Sequence, residues 1–209
     1  MILAEISEKL QQGKAKLVKQ LVQQAIDEGL SPQQILEEGL LHGMGIIGEK
    51  FKNNEVFVPD VLVAARAMNQ GAGLLKPLLM AEGVQSIGRV CIGSIKDDLH
   101  GIGKNLVRMM RESRGFDVID LGIDVPPEVF VQTAIEQDCQ IICVSALLTT
   151  TMNAMADVVK LAEEAGIRDK VKIMVGGAPI TQAFADRIGA DAYTPDAASC
   201  AEKAASFVR

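Results

Sequence analysis

The sequence predicts an α/β protein in two parts, an N-terminal four-helix bundle followed by a doubly wound parallel five-stranded sheet. Three observations lead there. Apolar residues recur at helical spacing through residues 1–80 with no β-rich run among them. Residues 81–88, Ala-Glu-Gly-Val-Gln-Ser-Ile-Gly, are small and polar and read as a linker. From Arg89 onward, short β-rich runs alternate with helical stretches, the signature of a parallel sheet covered on both faces.

In the first part, Ile2–Gln11 reads as a short helix. Leu17, Leu21, Val22 and Ala25 then mark a second, stopped at Gly29. Ser31-Pro32 restarts the chain as a third helix, with Ser31 able to accept from exposed backbone N–H groups and Pro32 suited to the first turn. Its inward face is Ile35, Leu36, Leu40, Leu41 and Met44. Phe57-Val58-Pro59 opens a fourth, running through Val61, Leu62, Ala65, Met68 and Leu75. Four such helices pack as a bundle.

The second part, 89–209, predicts strands at Val90–Ser94, Asp117–Leu121, Ile141–Ser145, Lys172–Val175 and Ala192-Tyr193. Helices are predicted at Asn105–Arg114, Pro127–Gln137, Met152–Ala165, Thr181–Ile188 and Ala197–Val208. The expected architecture is flavodoxin-like (Rossmann-like), and ligands of such sheets bind at the carboxyl ends of the strands.

Composition narrows the function. The 209 residues are 48% hydrophobic, enough for a real core, but only 3% aromatic with no Trp, which disfavours base stacking. A net charge of −6 with no basic stripe makes duplex nucleic acid an unsuitable partner. Cys91, Cys139, Cys143 and Cys200 form no C-x-x-C pair and read as free thiols in a reducing compartment. No basic start precedes a long apolar run, so no signal peptide is expected. The uncharged stretch Gln140–Ala156 carries too many hydroxyl groups for a membrane span, and a cytoplasmic location is the expectation.

The chemistry concentrates where the first strand ends, at Asp97-Asp98-Leu99-His100-Gly101-Ile102-Gly103. Asp98 and His100 are two residues apart, and if the loop is extended their side chains point the same way and can meet. A carboxylate bonded to one ring nitrogen fixes the tautomer and frees the other nitrogen for a metal. Gly101 and Gly103 allow a bulky group to approach the backbone. Taken alone, the pair reads more readily as a loop histidine satisfied by a neighbouring carboxylate than as a metal site, and the two glycines could also cradle phosphate. Gly101-Ile102-Gly103 is followed by Lys104-Asn105-Leu106, so neither a dinucleotide fingerprint nor a P-loop is present. Ser145-Ala146-Leu147 and Gly176-Gly177 close the third and fourth strands with small residues, which would open a slot for a long, flat polar tail.

The ordered pattern Asp98-x-His100-x-x-Gly103, 41 residues, Ser145-x-Leu147, 28 residues, Gly176-Gly177 is similar to the cobalamin-binding signature of corrinoid proteins. The first part resembles the helical cap of methionine synthase and of small corrinoid methyl carriers at Gly43-Met44, Gly48, Phe51 and Phe57-Val58-Pro59. The resemblance implies a cobalamin or related corrinoid with His100 as the lower axial ligand of cobalt. The displaced nucleotide tail would lie near Ser145, Thr149 and Gly176-Gly177. Thr151 would extend the Asp98–His100 pair into a relay that couples proton uptake to a Co(I)/methyl-Co(III) cycle, with methylcobalamin as the loaded form. Later contacts to the corrin would fall at Tyr193, Thr194, Asp196 and Ala197. Met44, Phe51, Phe57, Val58 and Val61 would cover the upper corrin face, or simply fill the bundle, and Ala81–Gly88 would hinge the cap.

The implied function is to carry a methyl group between a donor-specific methyltransferase and one acting on an acceptor such as tetrahydrofolate or a thiol. A reductive activator would be a further partner. Methanol, methylamines, betaines and methoxylated aromatics are all donors served by similar carriers. Three alternatives stand beside it: the small subunit of an adenosylcobalamin mutase, a regulator sensing cobalamin or light, and a plain phosphate or nucleotide binder. The helical part argues against the mutase and the lack of a basic recognition helix against the regulator.

Overall fold

In the computed structural model, helix α1 (Ile2–Gln11) is followed by α2 (Ala15–Asp27), and the described residues throughout are 2–81 and 86–208. Helix α2 stops as its sequence demands: Leu30 N–H donates to Ala25 O and Gly29 N–H to Ile26 O, the paired bonds of a glycine-terminated helix. Ser31 Oγ then accepts from Gln34 N–H at 3.1 Å and Pro32 takes the first helical position.

The third helix differs from expectation. It begins as α3 (Pro32–Gln34), widens into a seven-residue π-helical stretch (Ile35–Leu41), and continues as α4 (His42–Lys52), well beyond Met44. The π turns keep the apolar stripe in line, so that Ile35 and Leu40 before Met44 and Ile47 after it are all buried. Helix α5 (Val58–Ala81) completes this unit, with Asp60 Oδ2 accepting from Phe57 N–H at 2.9 Å at its start. The first unit comprises the chain up to Ser86 together with Ser113–Gly115, and the second Ile87–Glu112 and the chain from Phe116. Of the expected linker, residues 82–85 lie outside the described residues.

The second unit is a five-stranded parallel sheet of order β2-β1-β3-β4-β5. Its strands are β1 (Arg89–Ile95), β2 (Asp117–Val125), β3 (Ile141–Ser145), β4 (Lys172–Gly176) and β5 (Ala192–Tyr193). Helices α7 (Pro127–Glu136), α8 (Met155–Glu164) and α9 (Gln182–Ile188) pack on one face, where Cys91, Ile142, Val144 and Ile173 meet Phe130, Val158 and Phe184. Helices α6 (Ile102–Glu112) and α10 (Ala197–Phe207) cover the other, over Val90, Ile92, Ile141 and Met174. The order reverses between β1 and β3, which places the loops after these two strands at a topological switch point.

Most element bounds agree with the sequence reading to within a few residues. Strand β2 is the exception, extending four residues past Leu121 to Val125. Helix α6 begins at Ile102, three residues earlier than expected, and a 3-10 turn (Met152–Ala154) precedes α8. All four cysteines are free, with Cys200 less buried than the others.

One buried side chain stands at odds with its surroundings. Arg111 in α6 has no exposed surface. Its Nη2 donates to Met174 Sδ and Cys200 Sγ, each at 3.1 Å, and the Cys143 thiol also faces the guanidinium, while Nε and Nη1 have no hydrogen-bond partner among the described residues. The nearby Cys143 and Cys200 sulfurs keep the guanidinium charged despite its burial, but sulfur is a weak acceptor and two of its nitrogens go unanswered. Replacing Arg111 with Met keeps an unbranched side chain of similar volume, though shorter, and removes the buried charge. Arg111→Met is expected to raise the urea unfolding midpoint at unchanged slope, corresponding to about 1–3 kcal/mol.

Candidate functional site

The site is assembled from three strand ends. Register places Ser94 of β1, Ser145 of β3 and Gly176 of β4 side by side at the carboxyl edge of the sheet. Past Ser94 and Ile95 the chain leaves β1 in a tight turn: Asp98 N–H donates to Ile95 O, and Asp97 adopts a left-handed backbone with φ +66°. The Ser94 hydroxyl, fully buried, donates to His100 O at 2.6 Å and ties the loop back to the strand that launched it.

Asp98 is the centre of the arrangement, with a side chain 0% exposed. Its Oδ1 accepts from His100 N–H at 3.1 Å and faces His100 Nδ1 at 2.9 Å. Its Oδ2 accepts from Leu147 N–H at 2.7 Å and Leu148 N–H at 3.2 Å, both in the loop after β3. The buried Thr151 hydroxyl lies 3.0 Å from the same oxygen and 3.1 Å from Leu148 O, so its single proton can serve either acceptor.

Burial is the largest single influence on this carboxyl and would raise its pKa. The combined donors outweigh it, with the Leu147 and His100 amides foremost, followed by the His100 ring and the Leu148 amide, and hold it at about 2. Asp98 is therefore ionised at neutral pH. Facing a carboxylate at 2.9 Å, Nδ1 of His100 carries the proton, which leaves Nε2 with a free lone pair. The imidazole is 50% exposed, and Nε2 has no partner among the described residues.

Apolar side chains lie open around this imidazole. Leu99 is 68% and Ile102 76% exposed, and Ile123, Leu147 and Leu148 are also exposed. They belong to one neighbourhood: Leu147 and Leu148 share the Asp98 carboxylate with His100, and a Cβ built on Gly101 would stand 3.3 Å from Ile123 Cγ2. At Gly103 and Gly176 a Cβ would meet nothing within 4 Å, so both face open space. Gly177 has the opposite constraint. Its φ is +126°, and a Cβ there would fall 1.8 Å from Ala146 O, so only glycine lets the β4 loop lie against the β3 loop.

Asp98, His100, Leu147 and Thr151 are thus joined by hydrogen bonds, with Ser145 and Gly176 in adjacent register and Thr149 exposed in the same loop. Asp97 is exposed and bonds elsewhere, its N–H donating to Asp124 Oδ1 at 2.7 Å. Tyr193 pairs with Val175 on the β5 side of the sheet, half-buried, with Thr194 and Asp196 beyond it. Ala197 is buried at the start of α10, behind the Asp196 cap. In the helical unit, Met44 and Val61 have no exposed surface, Phe51 and Val58 are half-buried, and Phe57 is 67% exposed.

Three features escaped the sequence reading. Leu147 was marked by the motif, but the donation of its amide and that of Leu148 to Asp98 leaves no mark in residue type. Ser94, read only as a strand residue, secures the loop. Asp124 was hidden by the expected end of β2 at Leu121; the run Gly122-Ile-Asp124 before Val125-Pro126, rich in residues that tolerate a positive φ, is the signal that could have found it.

Comparison with known proteins follows the same lines. Residues 88–202 match the B12 binding domain, and residues 2–76 match a second B12 binding domain model. The chain is 42% identical over 204 residues to trimethylamine corrinoid protein 1 of Methanosarcina acetivorans, covering 97% of this chain and 94% of the relative. It is 41% identical over 203 residues to dimethylamine corrinoid protein 3 of the same organism, covering 97% and 95% respectively. Among solved structures, it superposes on a chain of the methanol:cobalamin methyltransferase complex MtaBC from Methanosarcina barkeri with a TM-score of 0.89 and 28% identity, covering 99% of this chain and 79% of that one.

The Asp98 network makes two testable statements. Because the folded pKa of about 2 lies below the ordinary 3.8, Asp98 contributes stability that is fully present above about pH 4 and is lost as pH falls towards 2. Asp98→Asn is expected to lose about 2 kcal/mol at pH 7 and to flatten the stability profile between pH 4 and 2, as read by urea unfolding at each pH. Gly177→Ala combines backbone strain with a collision against backbone and is expected to cost more than about 3 kcal/mol in the same assay.

Proposed function

This chain belongs to the B12 binding domain family, and from that membership together with the site geometry we infer that it is a corrinoid protein carrying a methyl group between methyltransferases. The observation that carries the reading is a half-exposed imidazole, oriented through Nδ1 by a fully buried carboxylate at the switch point of the sheet, with Nε2 unclaimed. Relatives named for trimethylamine and dimethylamine, and a structural neighbour that is part of a methanol-dependent methyltransferase complex, support a methyl-transfer role and a methyltransferase partner.

The residues fit a corrinoid. Among the described residues no group of three or more His, Cys, Asp or Glu could hold a metal ion, so a metal at His100 must bring its remaining ligands with it. A macrocyclic cofactor does so. The exposed collar of Leu99, Ile102, Ile123, Leu147 and Leu148 offers an apolar bed for a large ring, and the open space at Gly103 and Gly176 leaves room that a side chain would fill. When bound, the corrinoid's cobalt supplies the methyl-accepting and methyl-donating chemistry.

The chain's own residues bind, orient and move protons. His100 Nε2 would hold the cobalt of the bound corrinoid. Asp98 keeps the proton on Nδ1 and fixes the ring plane, while Leu147 and Leu148 keep Asp98 ionised. Thr151 joins the relay through Asp98 Oδ2. Ser145, Thr149, Gly176 and Gly177 border the space for the nucleotide tail. The donor-side methyltransferase is one partner, and we extend the set to an acceptor-side methyltransferase and a reductive activator. No described helix is long and apolar enough to cross a membrane, and the proposed setting is the cytoplasm.

His100→Gly removes the axial nitrogen while leaving Asp98 its three donors from the β3 loop. The absorption spectrum of the variant reconstituted with hydroxocobalamin is expected to differ from wild type, and methyl transfer supported with a cognate methyltransferase to fall by about 10–100-fold. An identical spectrum would overturn axial ligation by His100.

A further inference from the structure

We propose that Asp124, at the deformed end of the edge strand β2, is a positioning residue that sets the aim of His100; this rests on the corrinoid reading above. The deformation is explicit in the register. Ile92 of β1 pairs with Asp120 of β2 and Ile95 pairs with Val125, so β1 advances three residues while β2 advances five. Two register shifts fall in this short interval. Such bulges bend a strand and re-aim its side chains, and they gather next to functional sites.

Each shift has an anchor. The first lies at Gly122, whose φ is +90° and whose N–H donates to Asp120 Oδ1 at 2.9 Å. Asp120 is held in turn by the buried Lys104 ammonium of α6 and by Arg108 Nη1 at 3.4 Å. The second lies at Asp124, which also adopts a left-handed backbone with φ +55°. That conformation is unfavourable for a residue bearing a Cβ, and Asn and Asp bear it best.

What the distorted strand end reaches is the loop carrying the axial histidine. Asp124 Oδ1 accepts from Asp97 N–H at 2.7 Å, and Asp124 N–H donates to Asp98 O at 3.0 Å. These two bonds grip consecutive residues immediately before Leu99 and His100. The carboxylate of Asp98 faces the β3 loop, so Asp124 braces the opposite, β2 side of the same turn. A regular β2 ending at Leu121 would provide neither bond.

The role needs an acceptor and tolerance of positive φ, not a charge, and this defines the test. Asp124→Asn keeps both, whereas Asp124→Gly keeps the backbone conformation and the N–H but removes the acceptor. Both variants, wild type and His100→Gly are prepared without corrinoid and titrated with hydroxocobalamin, following the absorption change on axial-ligand replacement. Amide hydrogen exchange of residues 97–101 is measured before cofactor is added.

Asp124→Gly is expected to bind about tenfold more weakly, with faster exchange at Asp97 to His100, while Asp124→Asn stays within about twofold of wild type. The urea midpoint checks that Asp124→Gly remains folded. Wild-type affinity and exchange in Asp124→Gly would overturn the brace while leaving axial ligation intact. Failure of Asp124→Asn to rescue would also overturn it, because the acceptor would not be the operative feature. If His100→Gly and wild type give the same spectral change, axial ligation and the positioning role fall together.

Discussion

Removing a carboxylate from water is expensive unless every lone pair it exposes is answered, and Asp98 is removed completely. The answer comes from separated parts of the chain. The amides of Leu147 and Leu148 and the hydroxyl of Thr151 lie about fifty residues downstream, while the amide and ring of His100 lie two residues away. Together the two sets hold the group ionised against its burial. The loops after β1 and β3 are therefore coupled: the carboxylate can sit where it does only if both are in place. The parallel pairing of β1 with β3 and the Gly177 approach to Ala146 are conditions of that coupling. So is the Ser94 bond to the His100 carbonyl.

The coupling has a directional outcome. A neutral imidazole has two tautomers, and a histidine free in a loop would sample both in several orientations. An ionised, immobile acceptor at Nδ1 selects one tautomer and one ring direction. The remaining nitrogen then presents a lone pair at the open edge of the sheet, amid leucine and isoleucine side chains that water does not favour. Polar fixation below and an apolar surface around it are complementary: one supplies a single directed bond, the other non-directional area for a large planar partner.

Much of this was legible in the residues, for identifiable reasons. The D-x-H spacing is short enough for side chains to meet within one loop, so Asp98 and His100 could be paired without a structure. The strands β1, β3 and β4 are buried on both faces and announce themselves as apolar runs, and Ser31-Pro32 and Gly29 bound their helices through local chemistry. What could not be read depends on backbone or on distant partners. The Leu147 and Leu148 amides would donate whatever side chains they carried. The β2 extension is driven by two register shifts, and a reading based on alternation ends where alternation ends, at Leu121. The π-helical turns in Ile35–Leu41 preserve an apolar stripe that an ideal helix would rotate away, so periodicity marked inward residues but not the π turns themselves. Arg111 is the reverse case, a residue type that predicts exposure and is fully buried among sulfur atoms.

On the proposed reading of His100 as a ligand, the contrast in exposure between the two partners of the central pair would let one fold serve both loaded and unloaded states. Asp98 is wholly enclosed and its partners are all protein groups, so its bonding does not depend on a ligand. His100 is half-exposed, and when Nε2 is not coordinated, water can take its place at little cost. Losing the ligand thus strands no buried group and asks for no refolding of the strand ends. Had the exposure been reversed, with the carboxylate in solvent and the imidazole enclosed, each release would leave an unpaired buried nitrogen costing about 1–3 kcal/mol. The arrangement observed keeps that cost out of the binding step, so the affinity for a ligand at His100 is set by the bond it makes and the apolar area it covers.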